Sequence, residues 1–214
     1  MKETRRYRMA ARAEAAQQTH ARVLAAARDR FLQAAYDEVT LAGVAADAGV
    51  STQTVLNRFG SKENLFLAFA AAFIPELEAQ RATVRRGDVR SVVRVVLRQY
   101  ELMGDLNVRM LALEDRLPAL AEVSRTGREN HRAWLEDTFA DRLPAAPGPR
   151  RTTVNALYAA TDVYVWKLLR RDLQASLAET TRVMERLVRG ALSDPTTAAA
   201  PRADTTTAPG GPPP

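Results

Sequence analysis

Between Thr40 and Asn64 the chain reads TLAGVAADAGVSTQTVLNRFGSKEN, with three helix starts and two helix stops in 25 residues. Thr40, Ser51 and Ser61 each stand just before a helix-forming run, where a hydroxyl oxygen can accept from the otherwise unpaired backbone N–H groups of a first turn. Gly49 and Gly60 stand where a helix must end with positive φ, a conformation that costs glycine little. The spacing predicts a short helix from Leu41 to Ala48, a turn plugged by Val50, and a second short helix from Thr52 to Phe59. Val44 and Ala45 of the first and Val55 and Phe59 of the second turn inward. No long strand or long helix fits this punctuation.

The surrounding chain predicts an all-α protein. Ala, Leu, Arg and Glu dominate, while Gly and Pro are scarce before the C-terminus. Ala21, Leu24, Ala25, Ala27, Phe31, Leu32 and Ala35 recur at three- and four-residue steps, which predicts a first helix from Gln17 to Tyr36. A fourth helix from Ser61 carries Phe66, Phe69 and Phe73 and is expected to stop or kink at Pro75. Further helices are expected over Val89–Met103, Asn107–Leu117, Pro118–Arg142, Arg150–Asp172 and Gln174–Leu192, separated by RRGD, LP, PAAPGP and RRD. Residues 1–14 read as a flexible basic arm, 15–62 as a helix-turn-helix domain and 63–193 as a larger helical domain. Residues 194–214 hold six of the eleven prolines and almost no large apolar side chain, so they are expected to be disordered.

Composition narrows the function. The chain has no Cys, which removes disulfides, thiolate nucleophiles and thiolate zinc sites and fits a reducing compartment; the expected location is the cytoplasm. The longest uncharged apolar run, residues 64–75, falls short of the roughly 20 residues that cross a bilayer, and the basic start lacks the apolar region of a secretory signal. With two histidines, His20 and His131, and no Glu-x-x-His pair or phosphate-cradling Gly loop, neither metal, cofactor nor catalytic group is expected. An enzyme using His131 is the weaker alternative. The net charge of +6 is concentrated: residues 1–62 hold ten Lys or Arg against six acids. That distribution suits an anionic partner near the N-terminus.

Two short helices across a Gly-containing turn make a helix-turn-helix, whose second helix fits the major groove of duplex DNA. The stretch FLQAAYDEVTLAGVAADAGVSTQTVLNRFGSKENLF resembles the TetR family of transcription regulators. The resemblance is carried by Phe31, Tyr36, Thr40, Val44-Ala45, Ala48-Gly49-Val50-Ser51, Thr54, Phe59 and Ser61-Lys62-Glu63, and covers roughly residues 15 to 70. It departs from the family at Ala35, where Gly is usual, so the turn there either lacks positive φ or is strained. It departs again at Leu56, where an aromatic residue is usual, so the phenolic DNA contact is not carried over. Geometry points to Thr52, Gln53, Leu56 and Asn57 as base-facing, since Gln and Asn can pair with adenine and Leu can pack on a thymine methyl. Thr40, Thr54, Arg58 and Lys62 are expected over the sugar-phosphate backbone.

The resemblance implies that the remaining helices bind a small-molecule effector and hold a homodimer on a palindromic operator, with repression as the family default. In support, Val154, Leu157, Tyr158, Val163, Tyr164, Val165, Trp166, Leu168 and Leu169 surround more than one helix face. Together with Val183, Met184, Leu187, Val188 and Leu192 they suggest a four-helix dimer interface within residues 150–192. Candidate pocket residues are Phe73, Leu97, Tyr100, Met103, Met110, Leu113, His131, Trp134 and Trp166. The fourth helix is expected to act as a lever from Lys62 to a ligand beside Phe73 and Trp134, pivoting at Pro75. A DNA-binding protein without an effector is the alternative to a sensor.

Overall fold

The computed structural model describes residues 2–193, with side chains from residue 9, and contains helices and no strand among them. The proline-rich segment expected to be disordered lies outside the described residues. The order is α1 (Lys2–Gln33), a 3-10 turn at Tyr36–Glu38, α2 (Leu41–Asp47), α3 (Thr52–Phe59), α4 (Lys62–Ala82), α5 (Val89–Leu111), α6 (Pro118–Thr138), α7 (Pro147–Ala160), α8 (Val163–Lys167) and α9 (Leu177–Ser193). A second 3-10 turn follows α6 at Ala140–Arg142, and a π-helical turn, Leu168–Asp172, extends α8.

Several expected boundaries move, each for a physical reason. Helix α1 is helical from Lys2 rather than Gln17, across the residues expected to form a flexible arm, in a stretch without Gly or Pro that is rich in Ala, Arg, Glu and Gln. Its buried face is Val23, Ala26, Ala27 and Phe31, while Ala21 and Ala25 face solvent. Helix α4 passes through Pro75 and continues to Ala82. Proline removes the bond to the carbonyl of Ala71, but both residues are exposed, so water can take that carbonyl and the helix survives. Helix α5 is continuous where a break after Met103 was expected, because Gly104 is buried inside the packed helix. The expected helix 107–117 is therefore the end of α5 followed by turns. The expected helix over 150–172 is instead broken at Thr161–Asp162, where Asp162 Oδ1 accepts from Tyr164 N (2.8 Å) and caps α8.

Two apolar cores result. One joins α1 to α4 with Met103 and Leu106 of α5 and Leu120 of α6; the other joins the first half of α5 to α6, α7, α8 and α9. Helix α5 belongs to both. Its first half is built on Val89, Val92, Val93 and Val96, residues of modest helix propensity. Each is essentially buried, and burying a valine gives about 1.5–3 kcal/mol against a propensity penalty of about 0.7 kcal/mol or less. Tertiary packing decides the helix.

Candidate nucleic-acid interface

The two short helices are capped as their residue types dictate. Thr40 Oγ1 accepts from Gly43 N (3.0 Å), Ser51 Oγ from Thr54 N (3.1 Å), and Ser61 Oγ from Asn64 N (3.0 Å). Gly49 and Gly60 take φ of 64° and 76°, and Val50 N donates back to Ala45 O (3.0 Å) to close the turn. Ala35 sits at φ −65°, ψ 150°, so the turn before α2 is extended and unstrained without glycine. Val55 and Phe59 anchor α3, and Phe59 stacks on His20 of α1 with ring centroids 5.1 Å apart. That role for His20 has no local sign, since the two residues meet only through tertiary packing.

Gly43, a weak residue inside a helix, has a structural purpose. Arg30 of α1 reaches across it to make a two-pronged pair with Asp47, Nε to Oδ2 at 2.6 Å and Nη2 to Oδ1 at 3.0 Å. A Cβ on residue 43 would lie 2.5 Å from Arg30 Nη1. The same hydrogen bond raises the Arg30 pKa and lowers that of Asp47.

The expected contact residues share one face. Thr52, Gln53, Asn57 and Arg58 are exposed, and Leu56 and Thr54 are half-buried. Gln53 Nε2 donates to Asn57 Oδ1 at 2.7 Å, which leaves Gln53 Oε1 as an acceptor and the Asn57 amide N–H groups as donors. Thr54, Asn57 and Arg58 line an open concavity of about 490 Å³. Thr54 Oγ1 lies 2.8 Å from Ser51 Oγ, and Thr40, though capping α2, retains a hydroxyl proton to donate. Lys62 is less free than its sequence position suggests. Its Nζ donates to Tyr36 O (2.9 Å) and lies 4.4 Å from the centre of the Tyr36 ring.

The reading head is also fastened from behind. Arg109 of α5 donates to Phe31 O (3.2 Å) and Leu32 O (2.9 Å), carbonyls of the last turn of α1, and Arg116 pairs with Asp37 at 3.2 Å. Cations at a helix C-terminus satisfy carbonyls that lack intrahelical partners. Sequence reading missed Arg109 because its partners lie more than 70 residues away.

The candidate effector residues do not converge on one cavity. Phe73 and Met103 are buried in the first core with Met110 and Leu113 against it; Leu97, Tyr100, Trp134 and Trp166 belong to the second. Phe73 and Trp134, the two expected ligand neighbours, are thus on different cores, each under its own arginine: Arg28 is 4.9 Å from the Phe73 ring centre and Arg81 is 5.0 Å from that of Trp134. Trp166 is fully buried with Nε1 donating to Glu101 Oε1 at 2.8 Å, and Glu101 also takes Arg170, which with Trp166 lowers its pKa.

His131 is buried and fully bonded. Arginine can only donate, so Arg81 Nη2 at 3.2 Å makes His131 Nδ1 the acceptor. Nε2 then carries the proton and donates to Thr161 Oγ1 (2.9 Å), whose hydroxyl donates to Leu157 O (2.9 Å). Burial, then the Arg81 charge, push the His131 pKa down to about 3, so the ring is neutral. Tyr100 donates to Thr161 O at 3.0 Å, and burial pushes its hydroxyl pKa up. Arg81 itself makes no ion pair within 4 Å among the described residues, and its Nε is buried without a partner. Removing an ion from water costs several kcal/mol. A cation-π contact returns about 2 kcal/mol at most, and a charged hydrogen bond about 1.5–3 kcal/mol.

Comparison with known proteins agrees with this arrangement. Residues 23–69 match the family model of the bacterial regulatory proteins of the tetR family. No curated protein matches the chain. Among solved structures, a transcriptional regulator from Rhodococcus is 19% identical, with 85% of this chain and 99% of that one covered at a TM-score of 0.67. A putative TetR-family regulator from Mesorhizobium loti is 19% identical, covering 83% and 96% at 0.60. NalD from Pseudomonas aeruginosa, the secondary repressor of the MexAB-OprM multidrug efflux pump, is 21% identical, covering 82% and 97% at 0.55. These likenesses extend the shared fold beyond the matched segment to most of the chain. With the capped helix pair over residues 23–69 and the helical body behind it, the protein belongs to the TetR family of DNA-binding transcription regulators.

Proposed function

We propose that the protein is a cytoplasmic repressor that binds a palindromic operator as a homodimer and is released by a small-molecule effector. The observation that carries this reading is the face of α3: four exposed polar side chains on a short helix anchored from behind by Val55 and Phe59. In this reading Thr52, Gln53, Leu56 and Asn57 face the bases, and Thr40, Thr54, Arg58 and Lys62 face phosphates. Lys62 retains a donor for a phosphate while holding Tyr36 O, so it also positions the turn that leads into Thr40. Phosphate contacts fix register, and the amides supply sequence preference.

The dimer reading rests on apolar surface left at one end of the molecule. Tyr164 and Leu168 on α8 and its extension, Leu173, and Leu177 and Leu187 on α9 are exposed. The inner stripe of α9, Thr180, Met184 and Val188, is already buried against its own chain, so the outer stripe is free to meet a second copy across a twofold axis. Sedimentation of the protein with operator duplex tests the reading: two chains per duplex are expected, and one chain per duplex contradicts it. Leu187→Glu is expected to weaken the dimer by about tenfold or more, because each copy would bury an unpaired charge. Circular dichroism should show an unchanged helical content. An unchanged dimer dissociation constant would place the interface elsewhere.

A further inference from the structure

We propose that Arg81 anchors a binding site for a small apolar molecule bearing a carboxylate, the effector in the reading above, on which this inference rests. Arg81 lies in the last turn of α4, within an enclosure of aromatic and polar side chains from α5, α6 and α7. The hydrogen-bond arrangement around it has one group left over. Tyr100 donates to Thr161 O, His131 donates to Thr161 Oγ1, and Thr161 donates to Leu157 O, so these donors are used. What remains is the guanidinium, with one bond to a neutral imidazole, a ring face from Trp134 and an unpaired buried Nε. A buried cation without a counter-charge is costly unless an anion completes it, and a guanidinium suits a carboxylate because two parallel N–H groups meet two oxygens. The aromatic walls, Trp134, Tyr100 and His131, suit an apolar body on that carboxylate.

The approach is from the α6–α7 side. Arg128, Glu129, Arg132 and Tyr158 line a surface groove of about 240 Å³, and the Tyr158 ring meets His131 edge to face at 5.5 Å. A turn of that ring would connect the groove to the enclosure. The position gives the ligand a hold on DNA reading, since α4 carries Arg81 near its last residue and Lys62, bonded to Tyr36 O, at its first. The neutralised guanidinium would shift one end of a single continuous helix whose other end supports the reading head.

The test uses the full chain, with decanoate, benzoate and 2-naphthoate as probes, each beside its primary amide. Titration calorimetry is expected to show at least one carboxylate bound about tenfold or more tighter than its amide. Arg81→Met should abolish that preference while raising the melting temperature by a few degrees in the absence of ligand, because an uncompensated buried charge is removed. Arg81→Lys, which keeps the charge and loses the paired N–H groups, should fold like the parent and bind the carboxylate more weakly. The proposal is overturned if no carboxylate exceeds its amide, or if the preference persists in Arg81→Met. Anisotropy of labelled operator in the same mixtures separates the two readings: a carboxylate that binds through Arg81 and leaves operator affinity unchanged keeps the site and removes its effector role.

Discussion

Gly104→Ala is expected to destabilise the protein by about 2–4 kcal/mol, combining overpacking with the loss of a buried hydrogen bond. A Cβ on residue 104 would lie 2.3 Å from Trp166 Cζ3 and 2.5 Å from Cη2, and Trp166 is fully buried, so the ring cannot simply swing into solvent. Moving it would break the bond from Nε1 to Glu101 and disturb Arg171, which lies 4.5 Å from the ring centre and pairs with Asp105 at 2.9 Å. In a chain of this length that corresponds to a fall of about 5–15 °C in melting temperature. Gly127→Ala, inside α6 with open space around it, is the control and should stabilise by about 0.5–1 kcal/mol. Equal melting temperatures for Gly104→Ala and the parent would mean that α5 and α8 do not pack as described.

The second large effect is acid sensitivity. The folded-state pKa of His131 lies near 3, below the ordinary value of 6.5, so the unfolded chain binds a proton at a pH where the folded chain does not. The stability that goes with a neutral His131 is therefore present above pH 6.5 and lost as pH falls toward about 3. Between pH 7 and pH 5 the expected loss from this residue is about 2 kcal/mol. Urea unfolding at the two pH values, on the parent and on His131→Gln, measures it. The variant should be less stable at pH 7 and show a pH dependence smaller by about that amount. An identical dependence in both chains would mean that His131 is charged, or solvated, in the fold.

Why the head of the molecule was legible and the body only partly so follows from where the information lies. Thr40, Ser51 and Ser61 each act on a backbone N–H three residues away, and Gly49 and Gly60 on their own φ, so caps and stops are local and the sequence shows them directly. The exposed face of α3 follows from Val55 and Phe59 by helical spacing. Gly104 misled because a glycine in a helical run reads as a break, whereas its reason is Trp166, 62 residues on. Gly43 likewise needs Arg30 to explain it. Pro75 suggested a pivot, but a proline on a solvent-facing turn leaves α4 intact, so the lever is the whole helix from Lys62 to Ala82. The aromatic and Met residues taken together as a pocket belong to two cores, because helical spacing gives a residue's face and not its tertiary neighbours. Arg81 and Arg109 had no local signal at all.

The central claim, that α3 reads DNA, is tested most directly by selecting bound duplexes from a random pool with the parent chain and with a Gln53→Ala, Asn57→Ala double variant. The parent is expected to enrich a palindrome whose half-site centres lie one helical turn, roughly 34–36 Å, or a multiple of it apart. The variant should lose base preference at one or two positions per half-site, worth about 1–3 kcal/mol each, and keep the spacing. A pool without enrichment, or the same site and the same preferences recovered by both chains, would contradict it.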